Sequence, residues 1–228
     1  MAGPNDVTGD ASADDKPALR RRLRALRGQL LPGSEAAIRA QVARVLERHL
    51  AGPGRLGLYW PLAGEVDLRH LADQPALASR LALPAVAGQR LLYRPWHPAQ
   101  ALQPDDCGIP APPPSAGELR AGELALLLVP ALAIDRRGLR LGYGSGWYDR
   151  LRSQPDWRRL PALAVLPGGC LLERLPADPW DVPFDGWICE RGLGQPGPPS
   201  QSCSQTGPDP LGPGAPLRGS PPVHRRSP

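Results

Sequence analysis

In Arg140-Leu-Gly-Tyr-Gly-Ser-Gly-Trp-Tyr-Asp149, three glycines alternate with larger residues, an arginine stands at one end and an aspartate at the other. Upstream, Leu124-Ala-Leu-Leu-Leu-Val129 is an unbroken apolar run closed by Pro130. A run of that length, bounded by turn residues, reads as a strand buried on both faces of a parallel sheet. Trp147-Tyr-Asp-Arg-Leu-Arg152 contains no breaker and opens a helix. Strand, glycine-rich turn and helix start form an arrangement whose backbone amides can hold phosphate oxygens. The spacing is neither Gly-x-x-x-x-Gly-Lys-Ser/Thr nor Gly-x-Gly-x-x-Gly, and the glycines alone fit an ordinary loop. Arg140 and Asp149 supply what glycine lacks. A guanidinium forks two phosphate oxygens, and a carboxylate holds the magnesium that accompanies them.

The chain has 228 residues, enough for one sizeable core, but 31 prolines and 26 glycines are too many for a chain folded throughout. The excess lies from Gly192 to Pro228, where apolar residues almost vanish, so this stretch is expected to be a disordered tail (192–228). Residues 1–15 are polar and mildly acidic, a second expected tail, which leaves the folded domain at residues 16–191. No stretch reaches 18 consecutive apolar residues and no apolar leader opens the chain, so a cytoplasmic protein is expected. No apolar surface demands a partner, and a monomer is expected. The four cysteines lack any C-x-x-C spacing and read as buried, reduced thiols.

Net charge is +5, and Lys16 is the single lysine among 27 basic residues. Lys16-Pro-Ala-Leu-Arg20 opens a helix with proline in its first turn. Leu19, Leu23, Leu26 and Leu30 make its apolar stripe, with Arg20, Arg24 and Arg27 as a neighbouring cationic one. Pro32-Gly33 is expected to stop this helix, and Ser34 to cap a second that buries Ile38, Val42, Val45 and Leu46. The arginine stripe suits a solvated face, a nucleic-acid footprint or an anionic ligand.

Residues 54–60 read as the first strand, with Glu65 expected at the start of a short helix beyond its carboxyl end. Residues 81–84, 90–96, 162–166 and 186–189 read as further strands. Asp178-Pro-Trp-Asp181-Val-Pro-Phe-Asp185 is an acidic loop before the last of them. A carboxylate there that met Asp149 would build a site of hard oxygen ligands for magnesium. Strands alternating with helical segments give an α/β fold in three layers, α/β/α, with a mainly parallel central sheet.

These segments carry a family resemblance. K-x-x-L-R at Lys16–Arg20 is followed by Tyr59-Trp-Pro-x-x-x-Glu65-Val-Asp67 and Leu83-Pro84. Then come Leu128-Val-Pro-Ala-Leu-Ala-Ile-Asp135, the Arg140–Asp149 segment and Leu175-Pro-x-x-x-x-Asp181-Val-Pro-x-Asp185. In that order the chain resembles 5-formyltetrahydrofolate cyclo-ligases, also called methenyltetrahydrofolate synthetases, over residues 16–190.

The resemblance implies a scaffold of the NagB/RpiA/CoA transferase-like kind. It also implies ATP- and magnesium-dependent cyclisation of 5-formyltetrahydrofolate to 5,10-methenyltetrahydrofolate, with ADP and phosphate released. It places Lys16, Arg20, Arg140, Gly142, Gly144, Gly146 and Tyr148 at ATP, with Arg140 and Tyr148 catalytic. Trp60, Glu65, Tyr143 and Trp147 fall at the folate, and Asp149 and Asp181 at magnesium. The chain departs from the family pattern at Ala131, Cys170, Trp180 and Pro110. The alternative is a non-catalytic module that binds nucleic acid or nucleotide through its basic helix. Loss of affinity with salt separates it from an enzyme.

Overall fold

The computed structural model describes residues 16–197, so the tails expected at 1–15 and 198–228, and Cys203, lie outside the described residues. Helix α1 (Lys16–His49) leads to β1 (Arg55–Gly57), a 3-10 turn (Arg69–Asp73), α2 (Pro75–Ala78), β2 (Leu81–Ala87) and β3 (Arg90–Trp96). After the short strands β4 (Gln103–Pro104) and β5 (Pro110–Ala111) come β6 (Leu124–Pro130), β7 (Ala133–Asp135) and β8 (Arg140–Leu141). Helices α3 (Trp147–Arg152) and α4 (Pro155–Arg159), then β9 (Ala162–Val165), β10 (Leu171–Leu172), β11 (Gly186–Cys189) and β12 (Gly192–Gly194), complete the chain.

Seven strands form the main sheet in the order β12-β11-β9-β6-β1-β2-β3. The five inner strands are parallel and both edge strands antiparallel. Along the central strands successive side chains face opposite cores, as a sheet covered on both faces requires. Leu126, Leu128, Leu163 and Val165 face a core built with Ile38, Val42 and Val45 of α1. Leu127, Val129, Ala162 and Ala164 face the opposite core, with Leu151 of α3 and Trp157 of α4. The result is the expected three-layer α/β fold. A second sheet, β10-β7-β8, lies beside it and packs Leu132, Ala133 and Leu141 on Leu23 of α1.

Helix α1 is therefore shared between two sheets, which explains the first correction: Pro32 does not end it. Pro32 is exposed and removes only the bond to the carbonyl of the equally exposed Gly28, at a cost of about 3 kcal/mol. Leu31, Ile38, Val42, Val45 and Leu46 are all buried, at roughly 1.5 kcal/mol or more each, and this outweighs the proline. Ser34 is a helix-interior residue whose hydroxyl donates back to the Leu30 carbonyl at 2.9 Å, so it caps nothing.

Glu65 also departs from expectation. It closes the turn 62–65, donating its N–H to the Leu62 carbonyl and accepting the Leu62 N–H on Oε2, both at 2.9 Å. The 3-10 turn begins only at Arg69. The strand expected at 81–84 runs on to Ala87, because beyond Ala82 the edge facing β1 is open and Pro84 loses no ladder bond there. At the other end Gly192–Gly194 pairs with β11, so order extends past Arg191 into the stretch expected to be tail. Cys170 and Cys189 are buried as expected, whereas Cys107 is exposed in a turn.

Candidate active site

The glycine segment follows the β7–β8 hairpin and passes beside the carboxyl end of β6. Arg140 is buried there, and its Nη1 donates to the Pro130 carbonyl at 3.0 Å. The guanidinium stacks over the Tyr148 ring at 5.1 Å and over Phe184 at 5.6 Å, and Nη2 lies 4.0 Å from Asp149 Oδ2. The glycines are required by what surrounds them. A Cβ on Gly142 would stand 2.7 Å from the terminal nitrogens of Arg140, and Gly144 has φ +110, which L side chains rarely adopt. From α1, Arg20 reaches over and donates Nε to the Gly142 carbonyl at 3.1 Å. Trp147 opens α3 beneath Arg150, whose guanidinium sits 4.5 Å above its ring.

Lys16, at the start of α1, lies against the acidic loop. Its ammonium is 2.5 Å from Asp178 Oδ2 and 3.1 Å from Asp181 Oδ2. Burial opposes the ammonium, but the hydrogen bonds and charges of Asp178 and Asp181 outweigh it and raise its pKa above the ordinary lysine value. Asp181 Oδ2 also accepts the Asp178 N–H at 2.8 Å. No hydrogen bond or ion pair joins Asp149 to Asp181, and no group of three metal-ligating side chains occurs among the described residues. Two separate carboxylates still suit a nucleotide-bound magnesium, because that ion takes one or two protein carboxylates and draws its other oxygens from phosphate and water. Arg20, Arg140, Lys16 and the glycine amides of the segment are donors that could complement the phosphates of a nucleotide.

On the other side of Tyr143 lies Glu65, with 6% of its surface exposed. Arg27 is buried between them. It donates to the Tyr143 hydroxyl, and its Nη1 is 3.9 Å from Glu65 Oε1. Burial raises the Glu65 carboxyl above its ordinary range. The Leu62 N–H, the Tyr143 hydroxyl, Arg27 and Arg140 pull the other way. Burial and Glu65 push the Tyr143 phenol up to about 12, and burial pushes Tyr148 up to about 12. Trp60 stands apart from this cluster, edge-on to Trp96 at 6.4 Å and under the Arg69 guanidinium at 4.9 Å.

The sequence pattern of the 5-formyltetrahydrofolate cyclo-ligase family matches residues 12–190. The chain belongs to this family. Curated relatives carry the same name. The Escherichia coli protein is 30% identical over 126 residues, covering 53% of this chain and 69% of that one. The Haemophilus influenzae protein is 27% identical over 66% of this chain and 82% of its own. A match to the Mycolicibacterium smegmatis protein is 44% identical but spans only 36% of that relative. Among solved structures, the Aquifex aeolicus 5,10-methenyltetrahydrofolate synthetase superposes with a TM-score of 0.63 at 29% identity, covering 79% of this chain and 92% of that one. The Mycoplasma pneumoniae synthetase gives a TM-score of 0.59 at 21% identity, over 77% and 99% of the two chains, and supports the fold.

Within this cyclo-ligase fold, contacts connect Arg20, Arg140, Gly142, Tyr148 and Asp149 into one cluster, with Tyr143 and Glu65 beside it. Lys16 and Asp181 meet each other, and Trp60 and Trp147 lie on the flanks. Sequence reasoning missed Arg27, which it placed only on a cationic stripe with Arg20 and Arg24, and Tyr93, buried beneath Tyr148. The signal for Arg27 was its place in the series 23, 27, 31, 34, 38, a stripe visible only once Pro32 is read as helix interior. Of the family departures, Ala131 is buried and offers its carbonyl to Arg27 at 3.2 Å, and Cys170 is core, its thiol pushed up to about 11 by burial. Trp180 is 68% exposed.

Proposed function

We propose that this protein catalyses the ATP- and magnesium-dependent cyclisation of 5-formyltetrahydrofolate to 5,10-methenyltetrahydrofolate, with ADP and phosphate as the other products. The observation that carries the reading is the placement of two unlike halves on either side of Tyr143. One is a glycine loop ringed by Arg20 and Arg140, and the other is a buried carboxylate at Glu65. The first suits a polyphosphate and the second the donor-rich edge of a pterin ring.

ATP supplies the phosphoryl group that makes the formyl oxygen a leaving group, so that N10 can close the ring as phosphate departs. The rest is positioning and charge neutralisation, which is what such a transfer asks of a protein. Arg140, fixed by the Pro130 carbonyl and two aromatic faces, presents its charge in one orientation. Arg20 and Lys16 add charge from α1, and the amides of Gly142, Gly144 and Gly146 line the loop. Tyr148 packs under Arg140 and keeps water from it. Asp149 and Asp181 would hold magnesium, whose charge would neutralise the phosphate oxygens. Glu65 would accept hydrogen bonds from the pterin, and Trp60, Tyr143 and Trp147 would offer it flat faces.

The basic-helix alternative loses ground on the same contacts. Arg20 and Arg27 point into the protein, which leaves Arg21, Arg22 and Arg24 as the exposed remainder. The reading is tested by stoichiometry. One ADP should be released per folate cyclised, and ADP release that does not depend on folate would contradict it.

A further inference from the structure

Arg27 has no role assigned in the site as described, yet with Arg152 it is one of the two largest fully buried side chains among the described residues. It leaves α1 at the point where the helix passes from the small sheet to the main one, and its guanidinium meets three separate segments. Nη1 donates to the Ala131 carbonyl just beyond β6, at 3.2 Å. Nη2 donates to the Ala63 carbonyl in the turn that carries Glu65, at 3.5 Å, and to the Tyr143 hydroxyl in the glycine segment. The guanidinium carbon is also 5.4 Å from the Tyr143 ring centroid. A Cβ on Gly64 would lie 3.6 Å from Nη2, so the turn closes directly onto the arginine.

Two polar atoms in this group have no partner: Nε of Arg27 and Oε1 of Glu65. Both are buried, and a buried polar atom without a hydrogen-bond partner is costly to maintain, so its retention needs a reason. Nη1 of Arg27 lies 3.9 Å from that free oxygen, close enough to neutralise it and too far to occupy its lone pairs. Because the Tyr143 oxygen accepts from Arg27, its own hydrogen can turn to the carboxylate, and Oε1, with two lone pairs, keeps one for a further donor.

We infer that Arg27 is a positioning residue for folate recognition: it holds Tyr143 in place and neutralises Glu65 while leaving Oε1 open to accept a hydrogen bond from the substrate. This rests on the cyclo-ligase reading. It adds to that reading a residue that touches neither ATP nor folate and acts through Glu65 and Tyr143. The groups facing Glu65 are Arg27 from α1, Arg140 and Tyr143 from β8 and its loop, Tyr148 from α3, and Tyr59 from the segment after β1. Of the two arginines, only Arg27 is in salt-bridge range, and Arg140 turns toward Pro130 and Asp149.

The test is the kinetics of Arg27→Lys, which keeps a charge but not the fork that spans three segments. The expected result is a rise of about tenfold or more in KM for 5-formyltetrahydrofolate with KM for ATP changed less than about twofold. With the fork gone, the acid limb of the folate kcat/KM profile should also move to higher pH. Equal effects on both KM values with an unmoved limb would make Arg27 structural and overturn the inference.

Arg27→Met in the Glu65→Gln background removes both charges together, which avoids stranding one of them. An arginine that acts through Glu65 should then add less than about a further twofold to the Glu65→Gln defect, and a fully additive loss overturns the inference. Wild-type protein without turnover defeats the cyclo-ligase reading itself, and this assignment with it. Turnover in the wild type with the negative results above defeats the assignment alone.

Discussion

The Lys16 ammonium and the Asp181 carboxylate are 3.1 Å apart, joining the first residue of α1 to the acidic loop before β11. This ion pair links the chain's one lysine, an ATP-binding candidate, to a carboxylate proposed for magnesium. Lys16→Ala is therefore expected to raise KM for ATP by about tenfold, the loss of a charge-assisted contact to phosphate, with KM for folate little changed. Steady-state kinetics with each substrate varied checks it. The pair's own contribution to stability should be within about 1 kcal/mol, because both partners keep some solvent contact. With the lysine pKa raised on folding, that contribution is fully present below the ordinary 10.5 and is lost as pH rises through the folded value.

Asp149→Asn removes a charge and keeps shape. Half-saturation by magnesium should move up by about tenfold while the melting temperature stays within a few degrees of wild type. Turnover unchanged across a magnesium titration would count against a metal role for Asp149.

Gly144→Ala places a Cβ at φ +110 and 3.4 Å from the Arg20 guanidinium. The strain is roughly 1–2 kcal/mol, taken up by a shifted loop. We expect weaker ATP binding with the folate KM spared. The same change at Gly122, where a Cβ meets nothing, should be silent.

Glu65 sets the expected pH dependence. Its carboxyl titrates above the ordinary 4.5 because it is buried, and only its ionised form offers both oxygens as acceptors to the pterin. The folate kcat/KM should therefore fall as pH drops through that raised value, with an acid limb above 4.5. Stability runs the other way, because a carboxyl raised on folding binds its proton more tightly in the folded state. Its contribution is most favourable below 4.5 and declines as pH rises through the folded value. Glu65→Gln should abolish the limb and lower kcat/KM at pH values above it. A limb of the same position in that variant would assign it to another group.

What the sequence revealed and what it hid divide along physical lines. Strand β6 was legible because Leu124–Val129 is apolar without interruption, and only burial on both faces explains such a run. The start of α3 at Trp147 followed from the glycines before it, and β3 was read correctly at residues 90–96. Pro32 misled because a local helix cost of about 3 kcal/mol is visible in sequence, while the two sheets that jointly bury α1 are not. The same error hid Arg27, since the buried stripe 23, 27, 31, 34, 38 continues only if the helix runs through Pro32. Glu65 looked like a helix-start carboxylate because its partner, the Leu62 N–H, is a backbone group that no side-chain pattern records. Strand β12 was lost in the glycine- and proline-rich stretch, where pairing with β11, and not composition, supplies the order. The candidate site residues were proposed from motif order. That Lys16 meets Asp181 is a fact of tertiary structure alone.

The measurement that bears most directly on the account is absorbance in the methenyltetrahydrofolate band for purified full-length protein mixed with 5-formyltetrahydrofolate, ATP and magnesium. The account predicts growth of the band that requires all three components and is weakened by Lys16→Ala, Asp149→Asn and Glu65→Gln. A band that fails to grow with folded wild-type protein, or that grows equally without ATP, would contradict it.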